Sequence, residues 1–179
     1  MTGAATSESK RYVVGPDVEI GLAFGLGVQV DALYRREGYS SPFSNFAGSD
    51  YSQERANSWE FPMLLKYKFA LPLIKPFIEA GYAPRVINGT VNNNGFSVNL
   101  QTGQRTYGQN HYGTSWDASQ GLVVGGGAQL RLGRLLVSPE VRYTHWNNQA
   151  ILVTYPDGPT FGSAQDQIDV LVGLSWKLR

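Results

Sequence analysis

Apolar and polar side chains alternate along this chain with a period of two. From Tyr12 to Phe24, one face is Tyr12, Val14, Pro16, Val18, Ile20, Leu22 and Phe24; the other is Arg11, Val13, Gly15, Asp17, Glu19, Gly21 and Ala23. Successive side chains of a β-strand point to opposite sides of its sheet, so this rhythm predicts a strand. It returns six more times. The predicted strands are about Lys10–Phe24, Gly27–Tyr39, Ser58–Phe69, Ile74–Ile87, Gln120–Leu132, Leu135–Trp146 and Gln167–Leu178. One face of each is aliphatic with aromatics at its ends. The other mixes Gly and Ala with carboxylates and basic groups. A water-facing polar face is usually poor in small residues; the crowded inside of a narrow barrel needs them, and the aliphatic face suits lipid.

The connections alternate in length. Phe24–Gly27, Ala70–Ile74 and Gly133–Arg134 are tight, whereas the segments around Ser40–Asn57, Asn88–Ser119 and Asn147–Asp166 are long and rich in Asn, Gly, Ser and Tyr. Within the second, Phe96–Asn110 is a candidate small hairpin. Short turns at one end and long loops at the other mark an outer-membrane barrel. Strands of about 12 to 14 residues at ~3.3 Å each, tilted by roughly 40°, cover a hydrocarbon band of ~25 Å. The aromatics sort by depth into two interfacial girdles: Tyr12, Tyr34, Trp59, Tyr82 and Tyr143 near the long-loop ends, and Phe24, Phe69 and Trp176 near the tight turns. The fold class expected is therefore all-β, an antiparallel up-and-down transmembrane β-barrel. It forms a single domain over 1–179, with 1–9 a loop remnant and 10–179 the barrel.

Two features strain this reading. Pro16, Pro62, Pro76, Pro84 and Pro139 fall inside predicted strands. Each removes a ladder donor, which predicts bulges or distorted register. Seven strands are also an odd number, and single-chain bacterial barrels are even. Unpaired edges facing lipid cost several kcal/mol per orphan group. Three resolutions stand open: an eighth, N-terminal strand lies outside this sequence; the seven close with a strained seam; or another chain pairs with, or donates a strand to, the seam between the first and last strands.

Composition narrows the partners. Net charge is +1 and only 16% of residues are charged, below the roughly 25% of ordinary soluble domains. Nucleic acid is not expected as a partner; membrane lipid is. Mean hydropathy is −0.24, against a helical membrane protein but compatible with a barrel, whose apolar half hides in alternation. There is no cysteine, so disulfide and thiol chemistry are excluded. Residues Met1–Lys10 lack an apolar core segment and do not read as a signal peptide.

The inward parity carries Asp17, Glu19, Asp31, Glu37, Glu60, Glu79, Glu140 and Asp169 against Arg35, Lys66, Lys68, Lys75, Arg85, Arg131, Arg142 and Lys177. A narrow barrel fills its interior with side chains, and buried charges must be paired. This set reads as a structural, salt-bridged plug in the lumen; the alternative is a narrow ion path. No metal-ligand spacing or cofactor motif is present, and Gly125-Gly126-Gly127 lies within a strand rather than in a phosphate loop. No catalytic residue is expected. Tyr143-Thr144-His145-Trp146-Asn147-Asn148 resembles the His-x-Ser-Asn stretch of outer-membrane lipid A deacylases. Asn147 stands where the serine nucleophile should be, and an amide cannot serve. The loop aromatics Tyr39, Phe43, Phe46, Tyr51, Tyr107, Tyr112, Trp116, Tyr155 and Phe161 suit either recognition or packing of the loops on themselves.

The stretches Gly15-Pro16-Asp17-Val18-Glu19-Ile20, Asp31-Ala32-Leu33-Tyr34-Arg35-Arg36, Trp59-Glu60-Phe61-Pro62 and Pro139-Glu140-Val141-Arg142-Tyr143 resemble phrases of the small outer-membrane β-barrel families, in the broad OmpA-like class. The end, Val170-x-Val172-x-Leu174-x-Trp176-x-Leu178-Arg179, is similar to the C-terminal assembly signal of such barrels but closes on Leu178-Arg179 rather than an aromatic. The resemblance implies a barrel in the bacterial outer membrane and no particular substrate. The functions to weigh are a structural, surface-exposed barrel, a narrow channel or transport protein, and third a lipid A deacylase-like enzyme.

Overall fold

A computed structural model describes residues 2–3, 6–10, 12–45, 47–71, 74–133, 135–148, 152–154, 160–162 and 164–176. Among these the chain is strand throughout, apart from turns and one 3₁₀ turn at Ala23–Gly25. The strands are β1 (Thr2–Gly3), β2 (Thr6–Ser7), β3 (Val13–Val14), β4 (Asp17–Gly21), β5 (Leu26–Asp31), β6 (Leu33–Asn45) and β7 (Gly48–Glu60). They continue as β8 (Met63–Lys68), β9 (Ile74–Val98), β10 (Arg105–Leu132), β11 (Leu135–Trp146), β12 (Leu152–Thr154), β13 (Thr160–Gly162) and β14 (Asp166–Trp176).

Two compact units share these strands. The larger comprises 14–33, 60–85 and 118–179. Its strands lie in the order β4-β5-β8-β9-β10-β11-β14, and the sheet is not closed: β4 and β14 are its edges among the described residues. Pairing is antiparallel, from Asp17↔Asp31 through Lys66↔Glu79 and Gly125↔Arg142 to Arg142↔Asp169. The tight connections follow their turn chemistry. Gly25 at φ 82° and Gly133 at φ 68° occupy the left-handed region that favours glycine. Phe24 joins them at φ 61°, a costly conformation for an aromatic residue, and the residue is 92% exposed.

In this unit the apolar side chains are outside and the charges are inside. Val18, Ile20, Val28, Val30, Met63, Leu65, Ile78, Leu122, Val124, Val141, Ile168, Val170, Val172 and Leu174 are exposed, while Gln29, Asp31, Glu60, Lys66, Glu79, Arg85, Glu140 and Arg142 are buried. The small apolar cluster Leu64, Ala83, Val123 and Trp146 lies on the buried face as well. Each outward aliphatic chain gains about 1.5–3 kcal/mol on leaving water, so this face demands an apolar medium.

The prolines leave the register unshifted, although the β10–β11 ladder is interrupted opposite Pro139, between Gly127↔Glu140 and Leu130↔Val137. Pro139 pairs with Val172 in the register that runs unbroken from Leu135↔Trp176 to His145↔Asp166. Pro76 and Pro84 sit within β9. Only Pro16 and Pro62 interrupt strands, at the gaps before β4 and β8. Proline lacks a donor but keeps its carbonyl, and those carbonyls are used: Ala32 N–H donates to Pro16 (2.9 Å), Asp31 to Pro62 (3.0 Å), Phe61 to Pro84 (2.9 Å) and Phe69 to Pro76 (2.9 Å).

The smaller unit comprises 1–13, 34–59 and 86–117, and it corrects the expectation of long loops. Ser40–Asn57 is the body of a hairpin of β6 and β7, and most of Asn88–Ser119 belongs to β9 and β10. The candidate hairpin at Phe96–Asn110 turns at 99–104, where the Asn99 side chain accepts from the Gln101 and Thr102 N–H groups and Gly103 takes φ 69°. Along β6 and β7 the buried positions include Ser40, Ser41, Ser52, Glu54, Ala56 and Ser58, so these strands carry no hydropathic alternation, while β9 buries Ile87 and Val91 in the same unit. In the third segment only the short pair β12–β13 is described.

Candidate functional site

The interior of the larger unit is built around Arg142 on β11. Its guanidinium lies 2.7 Å (Nε) from Glu79 Oε1 on β9 and 2.6 Å (Nη2) from Glu140 Oε1, and Nη1 pairs with Asp31 on β5. In the sheet order, β5 and β11 are four steps apart. A flat sheet with about 4.8 Å per step would separate them by roughly 19 Å, beyond the reach of an arginine. The Arg142–Asp31 pair therefore requires the sheet to curl about its charged face.

Lys66 on β8 holds the other half of the network. Its Nζ lies 3.1 Å from Glu79 Oε2, 3.6 Å from Glu140 Oε2 and 3.9 Å from Glu19 Oε2, and 4.0 Å from the centre of the Phe77 ring. Lys68 pairs with Glu19. Gln29 Nε2 donates to Asp31 at 2.8 Å, which fills a further lone pair. The set thus joins four carboxylates (Glu19, Asp31, Glu79, Glu140) to three cations (Lys66, Lys68, Arg142). An excess of buried acid is tolerable only because the guanidinium serves three carboxylates with its fork of donors. Glycines leave the room: a Cβ on Gly125 would stand 2.8 Å from Glu79 Oε1, and one on Gly127 would stand 2.7 Å from the Phe77 ring and press on Pro139 O.

Two smaller groups share this interior. Arg85 donates from Nε to Ser119 at 2.8 Å and stacks 3.8 Å over the ring of the fully buried Trp146. Trp146 Nε1 donates to Gln167 at 3.0 Å, and Gln167 Nε2 reaches Asp169 at 2.6 Å and Glu60 at 3.3 Å.

Not every residue of the expected network enters these groups. Asp17, Lys75 and Arg131 are exposed. Asp17 lies on the edge strand β4, and Lys75 and Arg131 lie at strand ends by the tight turns, where alternation outlasts the interior; Arg131 Nε donates to Gly133 O at 3.1 Å. Arg35 is half-buried on β6, in the smaller unit. The aromatics of the expected girdles are on the surface at Tyr12, Phe24, Trp59, Phe69 and Tyr143, and half-buried at Tyr34 and Tyr82. The Trp176 side chain, like Lys177, lies outside the described residues. Gln29, Phe77, Gln129 and Trp146 also belong to the interior, and none of them is charged. Inward parity marks them in the sequence, whereas charge alone does not.

His145 is exposed, with Nδ1 2.8 Å from Asp166 Oδ1, and the Tyr143 hydroxyl donates to the same oxygen at 2.6 Å. Asn147, two residues after His145, accepts the Gln120 N–H at 3.0 Å through its side-chain oxygen. Among the described residues no group of acids and histidines has metal-binding geometry.

The profile of one protein family, described as Outer membrane protein beta-barrel domain, matches residues 6–145. The chain belongs to that family. This outer-membrane barrel domain accounts for the inverted faces of the larger unit: the protein is embedded in a membrane through its strands, and the family suggests the bacterial outer membrane. No curated protein matches the chain.

Proposed function

We propose that this is a structural, surface-exposed barrel of the OmpA-like class in the bacterial outer membrane, with a plugged lumen and no catalytic role. The observation that carries the reading is Arg142 tied to Asp31 on β5 and Glu79 on β9, strands not adjacent to its own in the sheet. Such cross-links occupy the axis and hold the sheet curled around it. The hairpins β6–β7 and β9–β10 supply the surface-exposed part. The edges β4 and β14 point the same way, because six antiparallel steps separate them, so one strand antiparallel to both completes an even sheet. Its source in this reading is another chain, paired at the seam. Planar-bilayer recording of the purified protein tests the plug. Silence across a range of salts is the expected result, and discrete current steps would replace this reading with a narrow channel.

A further inference from the structure

We propose that Tyr34, Asn57, Trp59, Val86 and Asn88 form a binding site for an uncharged pyranose sugar. These residues line a cleft of about 270 Å³ across the neighbouring strands β6, β7 and β9, wholly within the smaller unit. Asn57 and Trp59, like Val86 and Asn88, are two residues apart and therefore share a face. The Tyr34 and Trp59 rings stand 5.2 Å apart at 52°, an angled aromatic wall, and Trp59 keeps 43% of its surface open. The Tyr34 hydroxyl donates to Asn57 Oδ1 at 2.7 Å, which fixes that amide and leaves its N–H₂ donors available. Asn88 is exposed and offers two donors and an acceptor.

The chemistry of the lining selects the ligand class. The cleft carries no carboxylate and no cation, so charged ligands have no counter-charge in it. The electron-rich face of an aromatic ring attracts the weakly positive C–H face of a pyranose, and neighbouring sugar hydroxyls both donate and accept, as amides do. Membrane anchoring alone accounts for Tyr34 and Trp59 but gives no reason for two amides beside them. The volume falls just below the roughly 300–1,000 Å³ of pockets for drug-sized ligands, which suits a single ring. That ring has two sources: the headgroup of a glycolipid, or a free saccharide.

The test uses the full chain in detergent micelles. Methyl glucoside, methyl galactoside, N-acetylglucosamine and their short oligomers are titrated by saturation-transfer NMR. Vesicles carrying a monoglycosyl diacylglycerol, against phosphatidylglycerol vesicles, supply the lipid-borne arm. At least one neutral sugar is expected to bind, and Trp59→Ala and Asn88→Ala are each expected to weaken it about five- to tenfold. Leu100→Ala, at an exposed turn of the same unit, is expected to leave it unchanged. Far-ultraviolet circular dichroism verifies that each variant keeps its strands, and the exposed Asn88 side chain supports no core. Binding of soluble oligomers assigns a free glycan, and binding of the vesicle-borne sugar alone assigns a lipid headgroup. No binding in either arm, binding indifferent to both substitutions, or competition by inorganic phosphate but not by methyl glycosides would overturn the proposal.

Discussion

At the scale of single residues, stability of the larger unit rests on buried ions that need one another. Removing one partner of a buried pair costs about 3–5 kcal/mol because the others stay behind uncompensated. Arg142→Met takes the cation from Asp31 and leaves Glu79 and Glu140 to Lys66 alone, and is expected to cost at least that much in urea unfolding from lipid vesicles. Arg142→Lys is expected to recover only part of the loss, since an ammonium cannot fork among three carboxylates. Lys75→Met, at an exposed strand end, should fall within about 0.5 kcal/mol of wild type. Arg142 and Lys75 both lie on the inward parity of their strands, which shows how far the pattern can be read. Alternation tells which face a side chain takes. It does not tell whether that face is still enclosed at that height, and Lys75 and Arg131 lie where the enclosure has ended.

At the scale of elements, alternation of hydropathy located the strands of the larger unit, because each needs one face for ions and one for an apolar medium. It stopped short in Ser40–Asn57 and Asn88–Ser119, where most buried positions are Ser, Gly or Ala and most exposed ones are also polar. A strand with two polar faces has no hydropathic period, so its Asn, Ser and Gly content resembles that of a loop. The prolines are legible by half: the missing donor, which interrupts the β10–β11 pairing opposite Pro139, is visible in the sequence, whereas the carbonyl that continues the ladder is visible only in the pairing. The close packing of β9, β10 and β11 gives a second test. Gly127→Ala would press a methyl group onto Pro139 O and the Phe77 ring and is expected to cost about 1–3 kcal/mol. Gly21→Ala, with nothing within 4 Å of the added carbon, is expected to be nearly neutral in the same unfolding assay.

At the scale of the whole molecule, family membership and the inverted faces of the larger unit point to one environment. A charge placed mid-strand on the lipid side of a barrel costs about 2–4 kcal/mol near the bilayer midplane. Val141→Arg, on the exposed face of β11, is therefore expected to lower stability in vesicles by an amount in that range. The most direct test of this orientation exploits the absence of cysteine from the chain. Single cysteines at Val28, Leu65, Ile78, Leu122, Val141 and Val170, each spin-labelled in lipid vesicles, should relax with oxygen dissolved in the bilayer and ignore a water-soluble nickel chelate. Labels at those positions that respond to the chelate and not to oxygen would contradict the assignment of the aliphatic face to lipid.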